Sequence, residues 1–280
     1  MQFGIHLPHA GERATPALIR RFAVQAEALG IADVWVSEHI ILPRTQFLRP
    51  LPFYEPVLTL TWVAAVTERV RLGTSVLVLP MRHPVPLAKE LATLQNLSEG
   101  RLILGAGVGW LAPEFAALGA PFHQRGRRMD EGLALMRALW TQDPVTFPTK
   151  YIPAEIIDMT MTPLPSVPIP LWLGGNSEAA LERTIRLADG WHGSRETPEQ
   201  TAGIVQRLRA ERPGPDLTIS MRVNWDGRDL GELRDRLAAY EAAGVQHVMV
   251  ASDLLRSAEL DNWDAILAGV GRLVAAAPGG

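Results

Sequence analysis

His39 stands directly after the run Asp33-Val34-Trp35-Val36-Ser37-Glu38, and its residue type suits proton transfer near neutral pH or donation to a ligand carbonyl. A rim histidine bonded to a neighbouring loop is the alternative reading. Gly174-Gly175-Asn176-Ser177 offers a different chemistry. Its two glycines admit a close backbone approach, and Ser177 is placed to cap a helical pattern through Leu181, Ile185 and Ala188. Free N–H groups at such a helix start favour a phosphate; an ordinary tight turn with a serine cap is the alternative. The run Gly105-Ala106-Gly107-Val108-Gly109 invites a dinucleotide-binding reading that fails on detail. The third glycine of that fingerprint would fall at Trp110, and Pro113 and Gly119 argue against an ordered helix starting there. These glycines more simply let something flat pass near the backbone.

Other chemistries are poorly served. His6, His9 and His192 follow no standard metal-site spacing, and two of the apolar runs end in glycines, so no metal is expected. No serine sits in a nucleophile elbow, and no lysine stands as an obvious Schiff-base candidate. A bound organic cofactor is the economical explanation.

The elements that must position these residues are legible as a rhythm. Asp33–Val36, the stretch 70–79, Leu102–Leu104 and Leu171–Leu173 are short apolar runs, as in parallel strands buried on both faces, and each is followed by a helical pattern. The first helix begins at Thr15-Pro16, carries Leu18, Ile19, Phe22, Ala26 and Leu29 on one face, and ends at Gly30. The pattern continues with strands near 101–105, 170–174, 189–193, 217–223 and 247–251, and helices near 56–67, 84–98, 125–140, 177–188, 198–211, 229–243 and 261–276. Eight βα units predict a single α/β domain over 1–280, a (βα)8 TIM barrel, with an insertion at about 141–169 between units four and five. In such folds the carboxyl ends of the strands carry the chemistry. The loop 40–55 is rich in apolar residues, including Phe47, Leu48, Leu51, Phe53 and Tyr54. It reads as a lid or wall for a hydrophobic ligand, or as simple packing over the rim.

Composition narrows the partners. Among 280 residues 47% are hydrophobic, enough for a full core, and a net charge of −3 gives no basic footprint for nucleic acid. Zero cysteines exclude disulfides, thiolate metal sites and a cysteine nucleophile. No run reaches the roughly 18 apolar residues of a membrane span, and the strand-like Gln2–Leu7 leaves no room for a signal peptide. A cytoplasmic protein acting on a small molecule is expected.

The strand-end motifs together resemble the bacterial luciferase-like superfamily. Trp35-Val36-Ser37-Glu38-His39, Leu72-Gly73-Thr74-Ser75-Val76, Gly100–Gly105, Trp172–Ser177 and Ala188-Asp189-Gly190-Trp191 are similar to its motifs along nearly the whole chain. Within it the sequence looks most like the coenzyme F420-dependent oxidoreductases. The resemblance implies hydride transfer between F420 and a small, partly hydrophobic substrate. It places a non-proline cis peptide at Ser75-Val76 beneath the cofactor ring, His39 as the active-site histidine that also touches the cofactor, Gly107, Val108 and Gly109 alongside the ring, and Gly174, Gly175, Asn176 and Ser177 on the phosphate. A related branch that oxidises sugar phosphates carries a glutamate where this chain has Trp110, which favours an apolar substrate against Phe53 and Trp110. The alternatives are an FMN-dependent monooxygenase fed reduced flavin by a separate reductase, and a barrel that only binds a flavin or another phosphorylated ligand. The superfamily also implies a homodimer, through helices early in the barrel.

Overall fold

The short apolar runs become the strands of one parallel cycle in a computed structural model that describes residues 1–44, 52–214, 216–252 and 262–277. In chain order the strands are β1 (Gln2–His6), β2 (Asp33–Val36), β3 (Arg71–Thr74), β4 (Leu77–Val78), β5 (Leu102–Gly107), β6 (Val145–Phe147), β7 (Ile156–Met159), β8 (Leu171–Gly174), β9 (Gly190–Ser194), β10 (Thr218–Asn224) and β11 (His247–Ala251). The helices are α1 (Pro16–Ala28), α2 (Pro56–Ala64), α3 (Pro84–Leu97), α4 (Ala112–Ala117), α5 (Arg125–Thr141), α6 (Glu178–Leu187), α7 (Pro198–Glu211), α8 (Leu230–Ala242) and α9 (Trp263–Ala276).

Neighbouring strands follow the order β3-β2-β1-β11-β10-β9-β8-β5, and β3 also pairs with β5, which closes a parallel barrel. The antiparallel pair β6–β7 stands apart from the cycle, within the stretch read as an insertion. Local signals set the helix starts. Thr15 accepts the Leu18 N–H at 3.2 Å ahead of Pro16, and Thr197 and Gln200 form a reciprocal capping box at α7. One helix face then turns inward, as with Ile19, Phe22, Ala23 and Ala26 of α1.

Three segments depart from the sequence expectation. The strand expected over 70–79 is interrupted: β3 stops at Thr74, Ser75-Val76 is a cis peptide, and a 3-10 turn, Leu79–Met81, follows β4. Strand β5 runs on to Gly107. A helix does begin after the glycines, at Ala112, because Pro113 falls in its first turn, where a missing N–H breaks no helical bond. Gly119, at φ +67°, follows its end. Of the apolar loop 40–55, Phe47, Leu48 and Leu51 lie outside the described residues. Among the described residues no helix is long and apolar enough to cross a membrane.

Inside the barrel, large rings fill the room left by glycines. A Cβ on Gly73 would come within 2.3 Å of Trp35, and one on Gly190 within 2.7 Å of Trp172. Asp33, His192, Ser220 and His247 are buried in the same interior. Such groups are tolerated only where they are hydrogen-bonded.

Their burial makes the fold acid-sensitive. Burial, with His247 and Arg222 close by, lowers His192 to about 3. Burial also lowers His9 to about 4, against the opposing carbonyls of Ser37 and Leu7. An unfolded histidine takes up a proton as pH falls through about 6.5, whereas these two do not until far lower. Each therefore withdraws stability as pH drops from 6.5 toward its folded value, by more than about 1 kcal/mol per pH unit. Thermal melts are expected to show Tm several degrees lower at pH 5 than at pH 7; equal melting temperatures would contradict this account.

Candidate active site

Strand β2 ends at Val36, which carries Ser37, Glu38 and His39 beyond the carboxyl end of the barrel. The buried carboxylate of Glu114, in the first turn of α4, meets His39 there. His39 Nδ1 donates to Glu114 Oε2 at 3.0 Å, and Oε1 accepts the N–H groups of Ile40 at 2.6 Å and Ile41 at 3.3 Å. Burial would raise the Glu114 carboxyl, but the His39 hydrogen bond and the two backbone N–H groups hold it below its ordinary value. An ionised Glu114 can only accept, so the neutral imidazole carries its proton on Nδ1 and Nε2 is its basic nitrogen. Phe53 packs edge-on to the ring at 5.1 Å and Trp110 at 6.3 Å; Trp110 itself is 58% exposed.

A second carboxylate ties the rim together. Glu38 accepts the Val78 N–H at 2.6 Å and Arg82 Nε at 2.6 Å, while Arg82 Nη2 reaches Glu55 at 2.6 Å. Burial raises the Glu38 carboxyl despite Arg82. The clamp fixes the end of β2 against β4 and against the residues just after Phe53.

The Ser75-Val76 cis peptide, expected from the family resemblance, is present. Ser75 donates its backbone N–H to Val36 O at 2.7 Å, and its hydroxyl lies 2.9 Å from His192 Nε2. A Cβ at Gly107 would come 2.7 Å from Val76 Cγ2, so the close approach that this glycine permits is to the Ser75-Val76 bulge. Val108 follows, partly buried, and Gly109 adopts φ +76° where a Cβ would strike Val78 and Phe115.

Gly174 to Ser177 lead from the end of β8 into α6. Gly175 adopts φ +109°. Ser177 occupies the cap position without a side-chain capping bond, and its carbonyl accepts from both Ala180 and Leu181. The expected hydroxyl cap is thus missing, because the first turn tightens onto the Ser177 carbonyl instead. N–H groups of a first turn have no partner within their helix, and residues 175–179 are exposed. Asn176 Nδ2 donates to Glu196 at 2.8 Å, and Trp191 Nε1 to the Gly175 carbonyl at 2.9 Å, which pins the turn. The start of α5 borders α6, since a Cβ on Gly126 would come 3.7 Å from Arg183. Arg125, next to it, keeps a buried Nε without a hydrogen-bond partner. An anionic group at the α6 start and a flat ring above Val76 therefore fit the residues present. Among the described residues no group of three or more His, Cys, Asp or Glu is placed to hold a metal ion.

In a sequence comparison the family model described as luciferase-like monooxygenase matches residues 1–250. The chain belongs to that family. An uncharacterized protein of Mycobacterium tuberculosis (strain ATCC 25618 / H37Rv) is 33% identical over 275 residues, covering 89% of this chain and 91% of its own length. An F420-dependent glucose-6-phosphate dehydrogenase of Kineococcus radiotolerans is 35% identical over 188 residues, which span 65% of this chain and 53% of that protein. In structure, an F420-dependent secondary alcohol dehydrogenase in complex with an F420-acetone adduct superposes with a TM-score of 0.81 at 17% identity, covering 98% of both chains.

Within this luciferase-like barrel, Glu114 is the site residue that the sequence reading passes over. Its signal was there: a lone acid between Pro113 and Phe115, one residue past a first-turn proline, in an otherwise apolar run.

Proposed function

We propose that this protein is an F420-dependent oxidoreductase acting on a small, partly hydrophobic substrate. The observation that carries the reading is the His39–Glu114 pair at the barrel mouth, with Phe53 and Trp110 against the imidazole. When bound, F420 supplies a deazaflavin carbon that exchanges a hydride. Ser75, Val76, Gly107, Val108 and Gly109 would support its ring, and the N–H groups from Gly175 to Ser177 would hold its phosphate. His39 Nε2 takes a proton from a substrate hydroxyl as the hydride leaves, or returns it to a carbonyl in the reverse direction. Glu114 orients the ring and stabilises its protonated form. Phe53 and the exposed face of Trp110 offer apolar surface to the substrate.

The F420-dependent names of the Kineococcus relative and of the superposed alcohol dehydrogenase support the cofactor. Parallel titration of the purified protein with F420 and FMN, followed by cofactor fluorescence, tests it. Micromolar F420 affinity with much weaker FMN binding is expected. Preference for FMN, with dioxygen uptake coupled to a substrate, would make it a monooxygenase; binding of neither would remove the cofactor reading. Secondary alcohols and glucose 6-phosphate form the first substrate panel, and turnover of only the latter would overturn the apolar-pocket assignment.

The same reading places the protein in the cytoplasm and includes a homodimer formed through α2. Leu58 is 71% exposed there, and Trp62, one helical turn on, is partly exposed. Light scattering is expected to give twice the chain mass for the wild type and the single-chain mass for Leu58→Lys.

A further inference from the structure

A continuous chain of hydrogen bonds runs from Asp33, at the amino end of β2, to Ser75 at the floor of the candidate site. Asp33 Oδ1 lies 2.8 Å from His247 Nε2, and His247 Nδ1 lies 2.8 Å from Ser220 Oγ. Ser220 Oγ lies 2.8 Å from His192 Nδ1, and His192 Nε2 lies 2.9 Å from Ser75 Oγ. Every member is buried. At the other end Arg71 Nη2, from the partly exposed amino end of β3, donates to Asp33 Oδ2 at 2.8 Å.

With the His247 ring neutral, donor counting gives this chain a single direction. Asp33 is ionised: burial would raise its carboxyl, but His247, Arg71 and the Trp35 indole N–H hold it down at about 2. A carboxylate only accepts, so His247 must donate from Nε2, and its neutral ring then accepts at Nδ1. Ser220 gives its one hydroxyl proton to that nitrogen and must accept from His192 Nδ1. His192 Nε2 is then an acceptor, and Ser75 must donate to it. The Ser75 hydroxyl is left with acceptor capacity only. One proton added to His247 reverses each bond beyond it in turn and makes Ser75 a donor toward the site.

The surroundings hold the rings in these poses. Trp35 stacks on His192 at 5.1 Å with planes 5° apart, and Trp172 meets His247 edge-on at 5.0 Å. Gly4 leaves the space that the carboxylate fills, since a Cβ there would lie 1.9 Å from Asp33 Oδ1.

We infer that Asp33 is a positioning residue which, through His247, Ser220 and His192, fixes the proton on Ser75 and so the hydrogen-bonding polarity of the site floor. Its importance for cofactor binding rests on the F420 reading above; its existence does not. Asp33→Ala tests it. It removes the oxygen that accepts from both His247 Nε2 and the Trp35 indole N–H, so nothing fixes the His247 proton on Nε2. Nitrogen-15 NMR of histidine-labelled apoprotein is expected to find the His192 proton on Nδ1 in the wild type and spread over both ring nitrogens in Asp33→Ala. The milder Ser220→Ala breaks the chain at its centre, and a mixture of both His192 tautomers is expected there even if Asp33→Ala does not fold. A wild-type proton on Nε2, or one tautomer retained in Ser220→Ala, would overturn the inference. F420 affinity is expected to fall at least fivefold in Ser220→Ala. A wild type that ignores F420 while His192 still changes tautomer would remove the functional reading and support the relay.

Discussion

Glu114→Gln is expected to leave the fold nearly intact and to reduce turnover by about a hundredfold or more. Glutamine is close in shape, and its amide oxygen can keep the N–H groups of Ile40 and Ile41, which now bond to Oε1. Its N–H2 then faces His39 Nδ1, where a carboxylate oxygen stands at present. Two donors cannot share that contact, so the imidazole proton moves to Nε2 and the basic nitrogen turns away from the site. The protonated ring also loses its counter-charge. Glu114→Ala separates the two roles. It strips partners from His39, Ile40 and Ile41 together, at about 1–3 kcal/mol for each polar group left buried, so Tm and turnover fall in step. His39→Ala should match Glu114→Gln in turnover if the carboxylate acts only through the ring. Steady-state kinetics of the three variants beside their melting temperatures decide the matter. Full activity in Glu114→Gln would mean that the pair is a structural tie of the rim.

What could be read beforehand divides along physical lines. The barrel was legible because burial on both faces leaves a local mark: Asp33–Val36, Leu102–Leu104 and Leu171–Leu173 are apolar without alternation, and helical periodicity follows each. Residues such as His39 were legible because a strand end fixes where the next few side chains go. The His39–Glu114 pair was not, since 75 residues separate its members and nothing local to Glu114 states which loop it will meet. The chain from Asp33 to Ser75 was hidden for the same reason. Its members come from four strands and the segment after a fifth, and a buried serine or histidine looks the same in sequence whether it ends in solvent or in a relay. The helix α4 was missed through a rule applied too strictly, since proline breaks helix interiors but suits first turns.

The other large effect belongs to Gly105, where fold and site depend on the same missing atom. Strand β5 passes so close to the end of β3 that a Cβ on Gly105 would stand 1.7 Å from the Thr74 carbonyl oxygen. That oxygen belongs to the backbone just before the cis peptide, and Thr74 Oγ1 donates to the Gly105 carbonyl at 2.8 Å across the same gap. A side-chain clash can relax by changing rotamer, but a backbone carbonyl can move only with its strand. Gly105→Ala must therefore push β3 from β5 near the closure of the barrel, where Leu72 and Gly73 pair with Leu102 and Ile103. The expected loss is about 3 kcal/mol or more, or a Tm lower by roughly 6–12 °C. A control with the same chemistry is Gly119→Ala, where nothing lies within 4 Å of the new methyl and only the φ of +67° is unfavourable; it should cost about 1 kcal/mol. Displacing Thr74 also moves Ser75 off His192, so cofactor affinity should fall in Gly105→Ala and stay unchanged in Gly119→Ala. Equal melting temperatures for the two variants would mean that the strands are free to part at the bulge, and that its geometry is not held by the barrel.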